Sequence, residues 1–84
     1  MAVVDPLTPI VELFGAAGCP YTADLREHLI WNQVTFTEYD VEADAAARAR
    51  LLTLTNGRAA VPVLVEDGRV AAIGWHGQSC GIAP

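Results

Sequence analysis

The run from Ala60 to Val65 is apolar at every position and has Pro62 near its start. A strand whose two faces are both hydrophobic lies inside a sheet that is covered on both sides. Proline is tolerated in a sheet only at a strand's first residue, at an edge or at a bulge, and a cis peptide bond is one common way to accommodate it. Asp67-Gly68 follows as a strong signal for a two-residue turn. The sequence therefore predicts a central strand that is joined to its neighbour by a tight hairpin.

The hairpin also predicts a register between its two strands. With Asp67-Gly68 as the loop, the predicted pairs are Glu66 with Arg69, Val65 with Val70, Leu64 with Ala71, Val63 with Ala72 and Pro62 with Ile73. This register places residues 73–76 beside Pro62.

Two segments before the hairpin have the composition of strands. Residues 10–14 are mostly apolar, and residues 34–41 alternate β-branched or aromatic residues with polar ones, which favours a position near a sheet edge. With a helix after each, the order is strand, helix, strand, helix, strand, strand. We expect the first strand-helix-strand unit to form a parallel pair and the hairpin to complete a mixed four-stranded sheet in an α/β domain.

The two intervening segments carry helix signals. Residues 20–32 begin with a proline, which suits the first turn of a helix. Residues 45–55 follow Asp44, a good capping residue, and precede Asn56-Gly57, a typical helix end. The buried stripe predicted for the first helix consists of Tyr21, Leu25, Leu29 and Ile30.

The length of 84 residues is that of one small domain. We expect residues 1–9 to be an N-terminal extension, residues 10–73 the core and residues 74–84 a C-terminal tail. The glycines of the tail argue against a long closing helix. We therefore expect either a short irregular segment or a second copy of the chain, in a homodimer, to cover one face of the sheet.

Charge and targeting signals argue against several classes of protein. The formal net charge is −5, and the five basic residues, all arginines, are spread along the chain, which disfavours binding to nucleic acid or to an anionic membrane. The first nine residues have neither a signal-peptide pattern nor a membrane-span pattern. Two cysteines without an export signal favour a reactive or resolving thiol in the reducing cytoplasm over a disulfide framework.

Cys19 is the candidate nucleophile because it lies where the first strand passes into the first helix. The first N–H groups of a helix have no internal partner and the helix dipole is positive there, so this position stabilises a thiolate. Cysteine pKa values at such positions fall from about 8.5 to roughly 3.5–7.5. The alternative is a small buried hydrophobic residue without chemistry.

Three short motifs carry a resemblance to a known family: Cys-Pro-Tyr-Thr at 19–22, Ala-Val-Pro at 60–62, and Glu-Asp-Gly-Arg at 66–69 followed by Ile73-Gly74. In their order and spacing they resemble the glutaredoxin branch of the thioredoxin fold, and within it the small UXX-star family, in which some members have selenocysteine at the position of Cys19. The resemblance implies a thioredoxin-like β-α-β-α-β-β fold in which Cys19 meets a cis Val61-Pro62 peptide. It also implies that the main chain of Val61 pairs in antiparallel fashion with glutathione or with a peptide cysteine.

The chain departs from a typical glutaredoxin where glutathione binds. Thr22 replaces the second cysteine of the motif, which leaves a single thiol there. Ala16 stands where a lysine that holds a glutathione carboxylate is usual, and residues 75–78 replace the usual acidic pair. Arg58 is the one remaining candidate for a carboxylate contact, and its alternative is a solvated loop residue. The resemblance thus implies glutathione as a co-substrate with few contacts, and no tightly bound cofactor.

Three further residues have two interpretations each. Thr22 either donates its hydroxyl to the Cys19 thiolate or is an ordinary first-turn residue. Tyr21 either lines the substrate groove or belongs to the core. The hairpin register brings Gly74 and Trp75 to the active-site end, where Trp75 either stacks on a substrate or covers an apolar patch.

Cys80 is the second thiol of the chain. It lies seven positions after Ile73, and a segment of this length spans at most roughly 23 Å when extended, so the tail can bring Cys80 back to Cys19. Cys80 is therefore either a resolving thiol that replaces the one absent at Thr22, a free cysteine, or a cysteine that links two chains.

The leading hypothesis is a thiol-disulfide oxidoreductase of glutaredoxin type. It acts by a monothiol mechanism on a small-molecule or protein disulfide, with glutathione or Cys80 completing the cycle. The predicted catalytic residues are Cys19, Thr22 and Cys80, and the predicted binding residues are Tyr21, Arg58, Val61, Pro62, Gly74 and Trp75. The alternatives are a redox-silent module that binds a peptide or cofactor, and a glutathione-assisted iron–sulfur carrier. No metal site is expected, because the cysteines and histidines do not form ligand pairs at zinc-binding spacing.

Overall fold

The structure, a computed structural model, describes residues 9–82. The predicted N-terminal extension lies outside the described residues except for Pro9, as do the last two residues of the tail. The elements are β1 (Val11–Gly15), α1 (Pro20–Trp31), β2 (Phe36–Asp40), α2 (Ala45–Leu54), β3 (Ala60–Val61), β4 (Val63–Glu66), β5 (Arg69–Ile73) and β6 (Cys80–Gly81).

A mixed four-stranded sheet forms the centre of the domain, in the order β2-β1-β4-β5. Strands β1 and β2 are parallel, whereas β1 with β4 and β4 with β5 are antiparallel. The predicted α/β architecture is confirmed, with β2 at an edge and β4 inside the sheet. Parallel pairing matters for the site, because the carboxyl ends of β1 and β2 lie at the same edge of the sheet.

The sheet is buried on both faces, as its apolar interior strands predict. Neighbouring residues of a strand point to opposite faces, and Leu13 and Phe14 of β1 accordingly belong to two separate core clusters. Leu13 packs with Leu25 and Leu29 of α1. Phe14 belongs to a larger cluster that includes Leu51 of α2. The two helices therefore cover opposite faces of the sheet.

The buried stripe of α1 differs from the predicted one at both ends. Thr22, Leu25 and Leu29 are its buried residues, Tyr21 is only half-buried, and Ile30 is 59% exposed, so its predicted burial is wrong. A polar residue enters the core at the start of the stripe because the hydroxyl of Thr22 is hydrogen-bonded to the main chain.

The run from Ala60 to Val65 is two strands and not the one predicted. It is divided at Pro62, which has no N–H to contribute to a ladder, and the Val61–Pro62 peptide bond is cis. Before the proline, β3 leaves the main sheet and pairs with β6. After it, β4 continues between β1 and β5.

The predicted hairpin register is correct near the turn and wrong beyond it. Glu66 pairs with Arg69 and Val65 with Val70, but an irregularity between Leu64 and Val65 shifts the remaining pairs. The observed pairs there are Leu64 with Ala72 and Val63 with Ile73. Ala71 is the extra residue between these pairs, and it makes the sheet bulge at this point. Gly74 nevertheless lies next to Pro62, because its N–H donates to the Pro62 carbonyl at 2.7 Å.

The described part of the tail, residues 74–82, contains no helix and packs on both core clusters. Trp75 lies against the cluster of Leu13, with its ring centroid 4.8 Å from that of His28. Ile82, 8% exposed, belongs to the cluster of Phe14. An irregular segment thus lies where the sequence analysis expected either such a segment or a second copy of the chain.

Candidate functional site

Cys19 lies at the N-terminal end of α1, directly before Pro20. Its main chain is extended, with φ −94° and ψ 115°, and its N–H donates to the Ala16 carbonyl at 3.1 Å. The cap position places the Cys19 side chain at the positive end of the helix dipole. The residue is buried, with only 3% of its surface exposed.

Cys80 is bonded to Cys19. The disulfide joins residues that are 61 positions apart in the sequence, with their Cα atoms 6.0 Å apart. Both cysteines of the chain are therefore in one intramolecular bond. Of the three interpretations of Cys80, the geometry is that of a thiol which reaches Cys19 of its own chain.

The strand that carries Cys80 occupies the main chain of β3. Val61 pairs with Cys80 and Ala60 with Gly81 in antiparallel fashion. Just beyond β6, the N–H of Ile82 donates to the Ala59 carbonyl at 3.1 Å. The Val61 carbonyl oxygen lies 4.0 Å from the Cys19 sulfur. The tail of the protein thus lies along the edge that the resemblance assigned to a glutathione or peptide substrate.

Thr22 is fully buried, and its hydroxyl contacts the loop before Cys19 instead of the Cys19 sulfur. Its Oγ1 accepts a hydrogen bond from the Ala16 N–H at 3.3 Å. A β-carbon at Gly15 would collide with the Thr22 methyl group, so glycine allows this close approach. Donation from Thr22 to a Cys19 thiolate concerns the reduced protein and stays a prediction, because the sulfur is bonded to Cys80 here. The hydrogen bond between Thr22 and Ala16 holds the loop that precedes and positions Cys19.

Among the predicted binding residues, the structure brings Val61, Pro62 and Gly74 together. Gly74 is buried with φ +86°, and a side chain there would meet the carbonyl of Gln78, so the turn beside Pro62 requires glycine. Tyr21 is half-buried against the cluster that contains Cys19.

The other two predicted binding residues lie in different surroundings. Arg58 is exposed in the loop before β3, where its carbonyl accepts a hydrogen bond from Thr55. Trp75 packs in the Leu13 cluster, whereas Cys19 belongs to the Phe14 cluster. Its observed contacts are those of a residue that covers apolar surface.

Sequence reasoning missed Glu42. A small open groove beside the disulfide is lined by Ala16, Gly18, Cys19, Glu42, Cys80 and Gly81. Glu42 reaches it because the turn after β2 is held to the end of β1, with the Val41 N–H donating to the Gly15 carbonyl at 2.9 Å. A signal for it was available, since parallel strands bring the loops at their carboxyl ends together.

The side chains that line the groove include a negative charge and no positive charge. Its lining includes one carboxylate, that of Glu42, and no arginine. The chain contains five basic residues, and Arg50 and Arg26 among them form ion pairs elsewhere, with Glu12 and Glu38. The carboxylate of Glu42 therefore disfavours an anionic ligand in this groove.

The strongest described electrostatic network lies in the sheet and not in the groove. The two terminal guanidinium nitrogens of Arg50, Nη1 and Nη2, donate to the Glu12 carboxylate, at 2.9 and 3.2 Å, and the Tyr39 hydroxyl donates to it at 3.0 Å. These bonds, that of Arg50 foremost, lower the pKa of Glu12, while its burial acts in the opposite direction. The network ties α2 to β1 and β2.

Within residues 9–82, neither helix is long and apolar enough to cross a membrane. In the same range, no three side chains of His, Cys, Asp or Glu converge to hold a metal ion.

Residues 11–71 match the glutaredoxin family model. The crystal structure of the thioredoxin-like protein BC3987 matches with 39% sequence identity and a TM-score of 0.66, covering 74% of this chain and 84% of that one. A mutant of the same protein gives 38% identity and a TM-score of 0.67, over 75% and 80% of the two chains.

Actin interacting protein 5 is similar in fold alone. Its structure has 24% identity and a TM-score of 0.57, covering 82% of this chain and 76% of that one. No curated protein matches the chain in sequence. Together these matches confirm the predicted α/β fold of thioredoxin type.

Proposed function

The chain belongs to the glutaredoxin family, and from this premise we propose that it is a thiol-disulfide oxidoreductase with Cys19 as nucleophile and Cys80 as resolving thiol. The observation that carries the proposal is the bond between Cys19 and Cys80, made while the strand of Cys80 pairs with Val61. A resolving thiol must reach the sulfur of the nucleophile, and this one does so through an ordered strand pair.

The first step is attack by the Cys19 thiolate on a substrate disulfide R–S–S–R′. A bond forms between Cys19 and the sulfur of R, the R–S–S–R′ bond breaks, and its electron pair leaves with R′ as a thiolate. The helix N-terminus lowers the free energy of the attacking anion. Thr22 acts through another group, because it holds the Ala16 N–H and thereby the loop that carries Cys19.

The second step is attack by the Cys80 thiolate on the Cys19 sulfur. The Cys19–Cys80 bond forms, and R leaves as a thiolate that takes a proton from solvent. Over the two steps the substrate disulfide gains two electrons and the cysteine pair loses them. An external thiol then reduces the Cys19–Cys80 disulfide and regenerates the protein. Because the cycle requires this reduction, we propose the cytoplasm as its compartment.

Glutathione fits this groove poorly. The family's lysine is replaced by Ala16, Glu42 lines the groove, and the exposed Arg58 is the remaining cation of the sequence prediction. We therefore assign resolution to Cys80 instead of glutathione. Membership of the UXX-star family stays a prediction.

The two alternative functions have less support. A redox-silent module gives no reason for Cys19 to bond with Cys80. An iron–sulfur carrier would use Cys19 as a ligand, which requires that the same bond be open. The cycle of an oxidoreductase uses both the dithiol and the disulfide form of the Cys19–Cys80 pair.

A single-turnover experiment tests the proposal. Fully reduced protein is mixed with one equivalent of a peptide whose cysteine is in a mixed disulfide with thionitrobenzoate, and products are identified by mass spectrometry. The wild-type protein should release both thionitrobenzoate and peptide thiol and end with the Cys19–Cys80 bond. Cys80→Ser should stop at the Cys19–peptide mixed disulfide. Cys19→Ser should react no faster than free cysteine.

Two results would contradict the proposal. Release of thionitrobenzoate at the wild-type rate by Cys19→Ser would remove Cys19 as the nucleophile. Full release of peptide thiol by Cys80→Ser would remove Cys80 as the resolving thiol.

A further inference from the structure

The tail segment 80–82 lies along β3 in the way a bound polypeptide would. Its main chain pairs with β3, and the N–H of Ile82 donates to the Ala59 carbonyl. Its side chains alternate: Cys80 and Ile82 pack against the core cluster that includes Cys19, whereas Gly81 is exposed. This alternation is that of an extended strand which presents every second side chain to the protein.

Positions 80, 81 and 82 differ in how closely the rest of the protein surrounds them. Ile82 is 8% exposed within an apolar cluster, so its side chain contributes hydrophobic contact. At Gly81 a β-carbon would meet no atom within 4 Å, and φ is not positive there, so a larger residue could stand in its place. The site beside β3 thus has room for any residue after the cysteine and contacts for an apolar one at the second position.

We propose that the substrate is an extended polypeptide in which the reacting cysteine is followed by any residue and then by an apolar residue. This inference rests on the proposed function and specifies its substrate class. The substrate strand takes the place of the tail beside Val61, with its cysteine bonded to Cys19 and its apolar side chain where Ile82 lies. Only one of the two strands fits at a time, so the return of the tail displaces the product.

The substrate class separates polypeptides from glutathione. In glutathione the cysteine is followed by a single C-terminal glycine, so it has no residue that could occupy the place of Ile82. Main-chain pairing at Val61 is open to both ligands, whereas the apolar contact is open only to a longer chain. The contact at the second position is therefore the feature to test.

The test uses full-length, reduced Cys80→Ser and three blocked peptides activated with thionitrobenzoate. Their sequences are Ser-Cys-Gly-Ile-Ala, Ser-Cys-Gly-Ser-Ala and Ser-Cys-Ile-Gly-Ala, and the third has the composition of the first with the isoleucine moved. In each reaction the Cys19 thiolate bonds to the peptide sulfur and thionitrobenzoate leaves with the electron pair, which is followed by its absorbance. Each rate is divided by the rate of the same peptide with free cysteine.

The first peptide should react about tenfold faster than the other two, since burial of one aliphatic side chain is worth at least this factor. Ratios within twofold for all three peptides, each well above free cysteine, would overturn this inference and leave the proposed function standing. Rates no higher than with free cysteine for every peptide would overturn both.

A second variant removes the Ile82 side chain, which would otherwise compete with the peptide for the same apolar contact. In Cys80→Ser combined with Ile82→Ser, the tail no longer competes for the apolar contact. The first peptide should then react faster than with Cys80→Ser alone and keep its advantage over the second. Loss of that advantage would mean that the preference does not come from the contact now made by Ile82, and would overturn the inference.

Discussion

Val61 pairs with Cys80 in an antiparallel ladder, and the sulfur of Cys80 is at the same time bonded to Cys19. One main-chain edge therefore serves the resolving segment that the structure contains and the substrate that we propose. In the proposed cycle, exchange of the two strands at this edge couples the redox state of the cysteine pair to access to β3.

The tail should hold the disulfide closed through Ile82. Replacing this buried side chain in Ile82→Ser removes apolar contact from the state in which β6 is paired. We expect the Cys19–Cys80 bond to be reduced at a roughly tenfold lower ratio of reduced to oxidised dithiothreitol. The reduced fraction is measured by alkylation and mass spectrometry, with the exposed Ser79→Ala as control. A midpoint within twofold of wild type would contradict the prediction.

Glu42 should select among disulfides by charge. Its carboxylate lines the groove, so Glu42→Gln should reduce the anionic oxidised glutathione faster and the cationic cystamine more slowly, each by roughly twofold to fivefold at low salt. The effect should fade in about 0.5 M salt, where the Debye length is only a few ångströms. Glu66→Gln, at the opposite end of the sheet, is the control. Equal changes for both disulfides would exclude a role for the charge.

Sequence reasoning identified the features that local chemistry determines. Cys19 at a helix start, the interior position of β4 and the Asp67-Gly68 turn each follow from a few neighbouring residues, and the structure has all three. The return of Cys80 was one of three open interpretations. Chain length showed that the tail could reach Cys19, but β6 has only two residues and therefore no periodicity to detect.

The features that were missed depend on packing across the chain. The irregularity after Leu64 has no local sequence signal, because it arises where two strands and both core clusters must fit together. Sequence reasoning left two interpretations of Thr22, because a hydroxyl near a helix start has several nearby partners, and only the folded loop shows that its Oγ1 accepts from the Ala16 N–H. Glu42 required attention to which loops share a sheet edge.

Thr22 should stabilise the fold through the hydrogen bond that its Oγ1 accepts from the Ala16 N–H. Thr22→Val keeps the shape but removes the acceptor of a buried N–H, which should lower the free energy of unfolding by about 1–2 kcal/mol. Thr22→Ser keeps the acceptor and should regain part of this loss. Urea unfolding of the oxidised protein measures both.

The control for Thr22 is Thr53→Val, the same exchange at an exposed position of α2. Its free energy of unfolding should stay within about 0.5 kcal/mol of wild type. If Thr22→Val is no more destabilising than this control, the hydrogen bond to Ala16 does not stabilise the loop.

The network around Glu12 predicts a pH dependence of stability. Because Arg50 lowers the pKa of Glu12 in the folded protein, ionised Glu12 stabilises the fold above its ordinary pKa of 4.5, and this contribution is lost as the pH falls through the lower folded value. Glu12→Gln should therefore be less stable than wild type by about 0.5–1 kcal/mol at pH 7, with the difference shrinking as the pH is lowered toward 3. Urea unfolding at several pH values measures it, and the exposed Glu66→Gln should show a smaller difference throughout. A gap between wild type and Glu12→Gln that stays constant from pH 7 to pH 3 would show that the carboxylate's charge is not what stabilises the fold, because only a contribution from the charge disappears on protonation.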